Sequence, residues 1–356
     1  MEMIDVLKAA VQKGASDLHL VIGQPPMVRL DGELKALTEF PVLSADVSRQ
    51  MIYTLLSDTQ RARFEEEWEL DFSVTVDQVS RFRANVLLQK NGTEAVLRVI
   101  AGKIPSPEDL QLTTAITDLA NLPRGLVLIT GPTGSGKSTT LACLINLINA
   151  RRRSHILTIE DPIEFIYENK NSVIRQREIG QQSHSFASAL KHALRQDPDV
   201  VMVGELRDLE TIGAALTMAE TGHLVFATLH TTDAAQTIDR IIDVFPSHQQ
   251  QQIRTQLSSV LKAVVSQTLL PRLNAKGRLA AREIMIVTPA VSNLIREGKS
   301  HQLYGAIDTG ARVGMISLDR ALADLVKRGM ISTEDALSKA NRPELIRGTP
   351  PSAMAA

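Results

Sequence analysis

The chain lacks several features that would otherwise define its chemistry. Its 356 residues include one cysteine, Cys143, which excludes an intrachain disulfide and a multi-cysteine zinc site. Aromatic residues make up 3% of the chain, with a single tryptophan, so an aromatic platform for stacking nucleic-acid bases is not expected. No stretch approaches 18 uninterrupted apolar residues, and the N-terminal residues do not form a signal peptide. We therefore expect a cytoplasmic protein.

Net charge is almost absent as well. The chain carries 39 lysines and arginines against 40 aspartates and glutamates, for a formal net charge of −1. No bulk attraction to nucleic acid or to anionic lipid is therefore expected, and we predict that nucleic acid is not a partner. The hydrophobic fraction of 44% is ordinary for a globular protein, and the length predicts about two domains.

The most informative stretch that is present reads G-x-x-x-x-G-K-S at residues 131–138. An apolar run at 126–129 precedes it, as a buried strand would. Apolar residues with the spacing of one helix face follow it, at Leu141, Leu144, Ile145 and Ile148. The order strand, loop, helix is the context that a phosphate-binding loop requires.

The residue types of this loop suit a nucleoside triphosphate. Glycines let the backbone turn tightly with its amide groups inward, and the helix N-terminus adds donors and partial positive charge. Lys137 supplies a positive charge for the β- and γ-phosphates, and Ser138 offers a hydroxyl to Mg²⁺. We predict that the nucleotide is bound by Gly131, Pro132, Thr133, Gly134, Ser135, Gly136, Lys137, Ser138 and Thr139.

Acidic residues follow two further predicted strands. The strand at 155–159 is followed by Glu160, Asp161 and Glu164, and a carboxylate at that edge of a parallel sheet can orient the water that attacks the γ-phosphate. A solvated acidic turn is the alternative, which the neighbouring loop disfavours. The strand at 199–203 is followed by Glu205, which either supports Mg²⁺ through a water or acts as the base.

Two histidines bracket the predicted strand at 224–229. Because His223 and His230 stand at its opposite ends, they cannot form the i, i+4 metal pair that a helix would provide. Thr228 and His230 lie near the carboxyl end, where they are placed to sense the γ-phosphate. A purely structural role has about equal weight for either histidine.

Arg81 and Arg83 lie two apart on a predicted strand and so share one face. A solvated strand face is the default interpretation. The alternative is that they reach a nucleotide from outside the loop domain, since additional positive charge at the γ-phosphate speeds transfer. The sequence does not select them over Arg98, Arg195 or Arg240.

The pattern of elements predicts an α/β fold in two main parts. Residues 1–101 read as a small α+β domain with an antiparallel sheet, and strands alternating with helices from 113 predict a parallel sheet covered by helices. Long helices are predicted from Ser44 to about Glu67 and from Ser247 to Leu270, and a hairpin turns at Asp31-Gly32. The predicted boundaries are 1–101, a proline-containing linker at 102–112, a core at 113–271, a helical region at 272–347 and a disordered tail at 348–356.

Taken in order, these motifs resemble the secretion ATPase superfamily, with its phosphate loop, Asp box, Walker B segment and His box. The resemblance is closest to the type IV pilus retraction ATPases. Residues 14–20 are similar to that family's N-terminal signature, and residues 290–297 to its AIRNLIRE motif, with departures at Val291 and Ser292. The extension and type II secretion members often carry a tetracysteine zinc insert and an additional N-terminal region, and this chain shows neither.

The resemblance implies a PAS-like N-terminal domain, a RecA-like ATPase domain and a homohexamer that binds ATP between the two domains of a subunit. It implies a motor for pilus retraction that acts with an inner-membrane platform protein, peripheral to the membrane at its cytoplasmic face. By the same resemblance, Glu164 or Glu160 would polarise the attacking water and Glu205 would serve Mg²⁺. His223 and His230 would belong to the His box, and Arg81 and Arg83 would complete the site.

Two other functions fit the same loop. A RecA-like nucleic-acid motor would share the nucleotide site, although neutral charge and few aromatics disfavour it. An accessory paralogue that binds nucleotide without hydrolysing it would share the whole pattern. Stimulation of turnover by single-stranded nucleic acid, and phosphate release itself, are the observations that separate these classes.

Overall fold

The computed structural model describes residues 1–30, 32–100, 102–275 and 277–347. Within them the chain divides into two compact units. The smaller unit is formed by Met1–Lys103 together with Pro162–Ile166, and the larger by Ile104–Asp161 with the chain from Tyr167 onward. None of the helices described in either unit is long and apolar enough to cross a membrane.

The smaller unit consists of an antiparallel sheet and three helices. Its elements are α1 (Met3–Gln12), β1 (Asp17–Leu20), β2 (Met27–Leu30), β3 (Glu33–Ala36), α2 (Ala45–Tyr53), α3 (Asp58–Glu67), β4 (Glu69–Val76), β5 (Ser80–Gln89) and β6 (Gly92–Ile100). The six described strands lie in the order β3-β2-β1-β6-β5-β4, each antiparallel to its neighbours.

Alternating burial along β5 shows how this sheet forms. Phe82, Ala84 and Val86 are buried on the core face, whereas Arg83 between them is exposed. In α1, the buried residues Met3, Val6, Leu7 and Ala10 have the spacing of one helix face. Together these two patterns form one hydrophobic core for the smaller unit.

One long helix predicted here is two helices. Ser44 caps α2 by accepting from the Val47 amide, as predicted, but α2 ends at Tyr53. Ser57 and Gln60 then form a capping box that starts α3, a Ser-x-x-Gln signal that the periodicity obscured. The predicted β2–β3 hairpin is present, but Asp31 of its turn lies outside the described residues, as does the predicted tail at 348–356.

The larger unit is built on a mixed sheet with helices around it. Its elements are α4 (Thr114–Thr117), β7 (Gly125–Thr130), α5 (Lys137–Arg151), β8 (His155–Glu160), β9 (Val173–Glu178), α6 (Phe186–Ala193), β10 (Val200–Val203), α7 (Leu209–Glu220), β11 (Leu224–Leu229), α8 (Ala234–Asp243), α9 (Ser247–Val260), β12 (Leu261–Pro271), β13 (Arg278–Ile286), α10 (Pro289–Arg296), α11 (Leu303–Thr309), α12 (Leu318–Lys327), α13 (Thr333–Leu337) and α14 (Glu344–Arg347). Short 3-10 turns occur at Asp118–Asn121, Ser300–Gln302 and Ala311–Val313.

The central strands of this sheet are fully buried. Described strands lie in the order β13-β12-β7-β11-β10-β8-β9, and every pair is parallel except β12 with β13. All residues of β7, β10 and β11 are buried, as expected of parallel strands covered on both faces. Because β7, β8, β10 and β11 run the same way, their carboxyl ends meet at one edge of the sheet.

The predicted helix from Ser247 to Leu270 is wrong in its second half. Helix α9 ends at Val260, and β12 begins at the next residue and pairs with β7. The apolar residues of β12 continue the helical spacing of α9, and the hydrogen-bonding partner that β7 provides decides the outcome. The region at 272–347 was predicted as helical, yet it begins with the strand β13.

Candidate nucleotide-binding site

The glycine-rich loop joins the buried strand β7 to helix α5 at the edge where the parallel strands end. Gly131, Gly134 and Gly136 have φ angles of 139°, 76° and 86°, a region that side chains rarely adopt. A Cβ on Gly131 would stand 2.2 Å from the backbone oxygen of Gln267. The first position of the loop therefore requires glycine both for its conformation and for the space available.

Gln267 on β12 braces this loop, and the sequence did not identify it. Its side chain is 3% exposed, donates to the Ser135 backbone oxygen at 2.7 Å, and accepts from the Thr140 hydroxyl at 3.0 Å. One amide thus joins the loop to the first turns of α5. Its polar side chain inside the apolar run 260–270 was the available signal, since buried polar groups need partners.

The loop residues fit a triphosphate. Ser135 Oγ is buried and has no hydrogen-bond partner among the described residues, and a phosphate oxygen would satisfy it. Lys137 is 8% exposed, and its Nζ donates to the backbone oxygens of Gly131 and Pro132 at 2.8 and 3.1 Å, so its charge is held against the loop. Ser138 and Thr139 follow on the first turn of α5, where the helix dipole favours an anion.

Glu160 ends β8 at the same sheet edge and is 5% exposed. Its Oε1 accepts from Thr158 Oγ1 at 2.6 Å and from Gln176 Nε2 at 3.2 Å. These donors fix the carboxylate in one orientation.

Glu205 follows β10 and lies in a charged hydrogen-bonded group with Arg207 and His230. Arg207 binds both carboxylate oxygens, with Nε–Oε1 and Nη2–Oε2 distances of 2.8 Å, and His230 Nε2 lies 3.0 Å from Oε1. Burial acts to raise the pKa of Glu205, but hydrogen bonds from Arg207 and His230 outweigh it and leave that pKa below its ordinary value. Glu205 is therefore an anion at neutral pH.

The strands that carry these acids are held close together at Gly204. Its amide donates to the Ile159 oxygen at 2.7 Å, and a Cβ on Gly204 would lie 3.3 Å from Glu160 Cα. Thr228 Oγ1 donates to the Gly204 oxygen at 2.5 Å. Thr228 thus tethers the turn that leads into Glu205, and the structure brings it to the edge where the sequence placed it.

His223 is at the other end of β11. Its backbone oxygen accepts from the Gly125 amide at 2.9 Å, and its Nδ1 lies 3.0 Å from the Met218 oxygen. Gly125 begins β7 and the loop follows Thr130, so six residues at about 3.3 Å each, roughly 20 Å, separate His223 from the loop. The structure therefore groups His230, and not His223, with the acidic residues.

Three predicted residues belong to the smaller unit. Glu164 lies in the segment Pro162–Ile166, which groups with that unit although it follows β8 in sequence. Arg81 donates to Thr75 Oγ1 at 3.1 Å and to Ser73 Oγ, within its own sheet. Arg83 is exposed on the same face of β5. The roles of these three residues toward a nucleotide remain predictions.

The hard oxygen donors that Mg²⁺ prefers are present at the sheet edge. Ser138 offers a hydroxyl beside Lys137, and Glu205 offers an ionised carboxylate just after β10, two strands along the sheet from β7. Their chemistry fits a magnesium ion that accompanies the β- and γ-phosphates.

Known proteins resemble this chain over most of its length. The family model described as "Type II/IV secretion system protein" matches residues 2–284. The type IV pilus retraction ATPase PilT of Pseudomonas aeruginosa is 50% identical over 97% of this chain and 99% of its own length. A twitching motility protein of Neisseria gonorrhoeae is 49% identical over 90% of this chain and 85% of its own length.

A solved structure gives the same result for the fold. The crystal structure of the pilus retraction motor PilT with bound ADP superposes with a TM-score of 0.91 and 45% identity, covering 97% of this chain and 98% of that one. The predicted α/β fold is thereby confirmed, and so is the predicted superfamily. This chain belongs to the type II/IV secretion system protein family.

Proposed function

We propose that this chain is an ATP hydrolase that powers the retraction of type IV pili. The observation that carries the proposal is the loop at 131–138, with its glycine conformations, its buried Lys137 and the acidic edge beside it, in a chain 50% identical to a pilus retraction ATPase. ADP in the similar solved structure supports nucleotide as the ligand.

Each group at the edge has a defined part in hydrolysis. The loop amides and Lys137 bind the β- and γ-phosphates, and Ser135 Oγ donates to a phosphate oxygen. Ser138 and Glu205 would hold magnesium, which would supply positive charge against the charge that develops on the phosphates. His230 holds the Glu205 carboxylate in place. The position of that carboxylate therefore depends on the position of the end of β11.

A carboxylate must orient the attacking water, and the candidates are Glu160, Glu164 and Glu205. Single glutamine variants of the three will separate them, because loss of the water-orienting acid lowers kcat with little change in nucleotide affinity. Loss of the magnesium ligand weakens Mg²⁺-dependent affinity as well. Phosphate release and fluorescent-ADP titration measure the two quantities.

We further propose that the active form is a homohexamer, peripheral to the cytoplasmic face of the inner membrane, where it acts on a platform protein of the pilus machine. Arg81 and Arg83 are proposed to complete the nucleotide site. Sequence identity to retraction ATPases over nearly the whole chain supports these assignments. Neutral net charge supports the absence of a nucleic-acid partner.

The decisive experiment removes Lys137. Lys137→Ala is expected to abolish ATP-dependent phosphate release while far-UV circular dichroism stays unchanged, because the phosphate charge loses its partner. Lys191→Ala, an exposed lysine on α6, is the matched control and should keep full turnover.

Two outcomes would contradict the proposal. Turnover by Lys137→Ala at the unmodified rate would remove the loop from the reaction. Unmodified protein that binds ATP without releasing phosphate would instead support the accessory role. In a bacterium deleted for its own retraction ATPase, the unmodified gene should restore twitching and the Lys137→Ala gene should not.

A further inference from the structure

A cavity of about 310 Å³ lies in the larger unit, and none of the residues used above lines it. Its walls come from β13, from α12 and from the segment 111–116. Most of the lining is apolar, with Leu112, Ile116, Ile284 and Leu325 among the larger side chains. Its volume is at the lower end of the range for small-molecule sites.

Arg282 of β13 lines this cavity and is 8% exposed. In the part of the chain that the structure describes, its guanidinium has no ion pair, and its Nε is buried without an acceptor. Burial lowers the pKa of Arg282 to about 10, so the group still carries its charge at neutral pH. A buried charge without a partner is strongly unfavourable, so an anionic ligand here would be held tightly.

The neighbouring ionisable groups do not neutralise this charge. Arg328 and Asp324, which also line the cavity, pair with each other at 3.3 Å. Cys143 on α5 would favour the charged arginine if it were a thiolate. Burial raises the pKa of the Cys143 thiol to about 11, so it is neutral under ordinary conditions.

We propose that this cavity binds a small organic carboxylate, whose oxygens accept from Arg282 and whose short apolar body packs against Leu112, Ile116 and Leu325. One unpaired cation matches one negative charge. The apolar side chains of the wall disfavour a multiply charged phosphate, which has no apolar part to pack against them. A guanidinium is also the side chain best shaped for a carboxylate, since it can donate two parallel hydrogen bonds.

The site is distinct from the phosphate-binding loop but adjoins it through one pair of residues. Arg282 lies opposite Gln267 in the β12–β13 register. Gln267 is the residue whose amide holds Ser135 and Thr140. A ligand bound to Arg282 would therefore lie one strand away from Gln267, the residue that holds the loop.

The probe for this site is butanoate, with butanamide as its uncharged shape match. In calorimetric titrations of the full chain, butanoate is expected to bind and butanamide is not. Arg282→Met should weaken butanoate at least about tenfold, which corresponds to loss of one charge-assisted contact. Arg278→Met, an exposed arginine on the same strand, is the matched control and should change the affinity less than about twofold.

A thermal melt shows that lost binding is not lost folding. Arg282→Met removes an unpaired buried charge, so its Tm should equal or exceed that of the unmodified chain, and butanoate should raise only the Tm of the unmodified chain. Equal binding of butanoate to Arg282→Met, or of butanamide to the unmodified chain, would overturn the proposal. Absence of butanoate binding to the unmodified chain would do so as well.

Two further titrations fix the ligand class and the separateness of the site. Butanoate should still bind in saturating Mg²⁺-ADP, and abolition of its binding would assign Arg282 to the nucleotide site instead. Inorganic phosphate should bind Arg282 more weakly than butanoate, and a reversed order would refute a carboxylate site.

Discussion

The glycines of the loop differ in how strongly their surroundings restrict a side chain. Gly131 combines a φ of 139° with a backbone oxygen 2.2 Å from where a Cβ would stand. Gly134 has a φ of 76° and nothing within 4 Å of the same position. Conformation constrains both glycines, but only Gly131 is also constrained by packing.

This difference predicts unequal effects of the same substitution. Gly131→Ala should lower the free energy of unfolding by about 3 kcal/mol or more, because the clash is with backbone and adds to the strain. Gly134→Ala should lower it by about 1 kcal/mol from conformation alone. Urea unfolding of the two variants measures the difference, and equal losses would show that the contact with Gln267 is not limiting.

Gln267 is the residue on which the loop depends from outside the motif. Gln267→Leu keeps the side-chain size but leaves the Ser135 oxygen and the Thr140 hydroxyl without their partner, so it should cost about 2–3 kcal/mol of stability and weaken ADP binding. The same change at the exposed Gln252 should stay within about 0.5 kcal/mol. Unaltered ADP affinity in Gln267→Leu would show that the loop holds its shape unaided.

Local signals account for the parts of the site that sequence could predict. The loop, the acids at the ends of β8 and β10, and the end of β11 are each defined by signals within a few residues. Gln267 is not, since 132 residues separate it from Ser135 and no local pattern links them. The place of Glu164 could not be predicted for a similar reason. Its segment groups with the smaller unit through tertiary contacts, which no local pattern reveals.

Among the elements, strand β12 was missed for a physical reason. Leu257, Leu261 and Val264 continue a helical spacing across the point where α9 ends. A buried strand also reads as an apolar run, so periodicity could not separate the two. Pairing with β7, which depends on the whole sheet, decides in favour of the strand.

Strand β13 is also joined to α8, the helix that follows His230. Glu283 on β13 is 3% exposed and accepts from the Ala234 amide at 2.9 Å, at the start of α8. Burial, together with the nearby Asp233 and Asp319, raises the pKa of Glu283 to about 7. A raised pKa means that the folded protein binds a proton which the unfolded chain has released between about pH 4.5 and 7.

Stability should therefore fall as the pH rises through this window. The expected slope is up to about 1.4 kcal/mol per pH unit between roughly pH 4.5 and 7, and it levels off above the folded pKa. Glu283→Gln still accepts from Ala234 and cannot ionise, so its decline should be smaller. Urea unfolding between pH 5 and 8 measures this, with the exposed Glu334→Gln as control. Parallel profiles for Glu283→Gln and the unmodified chain would contradict the assignment.

At the scale of the whole molecule, the residues of the larger unit that are proposed to bind nucleotide lie at one edge of its sheet. His223 lies about 20 Å away, at the opposite edge. If the proposed ring forms, light scattering should give a mass six times that of the 38.9 kDa chain in Mg²⁺-ADP. The same mass is expected for Lys137→Ala at saturating nucleotide, and a monomer at every concentration would contradict the ring.

The segment Pro162–Ile166 has a consequence for how the molecule would come apart. It belongs to the smaller unit but is covalently continuous with the larger one, and its Ile163 and Phe165 are buried. A protease cut after Lys103 would therefore divide the smaller unit between two fragments: one contains residues 1–103, and the other contains the segment Pro162–Ile166. Like the halves of a complementing split protein, they should copurify under native conditions and separate only in denaturant.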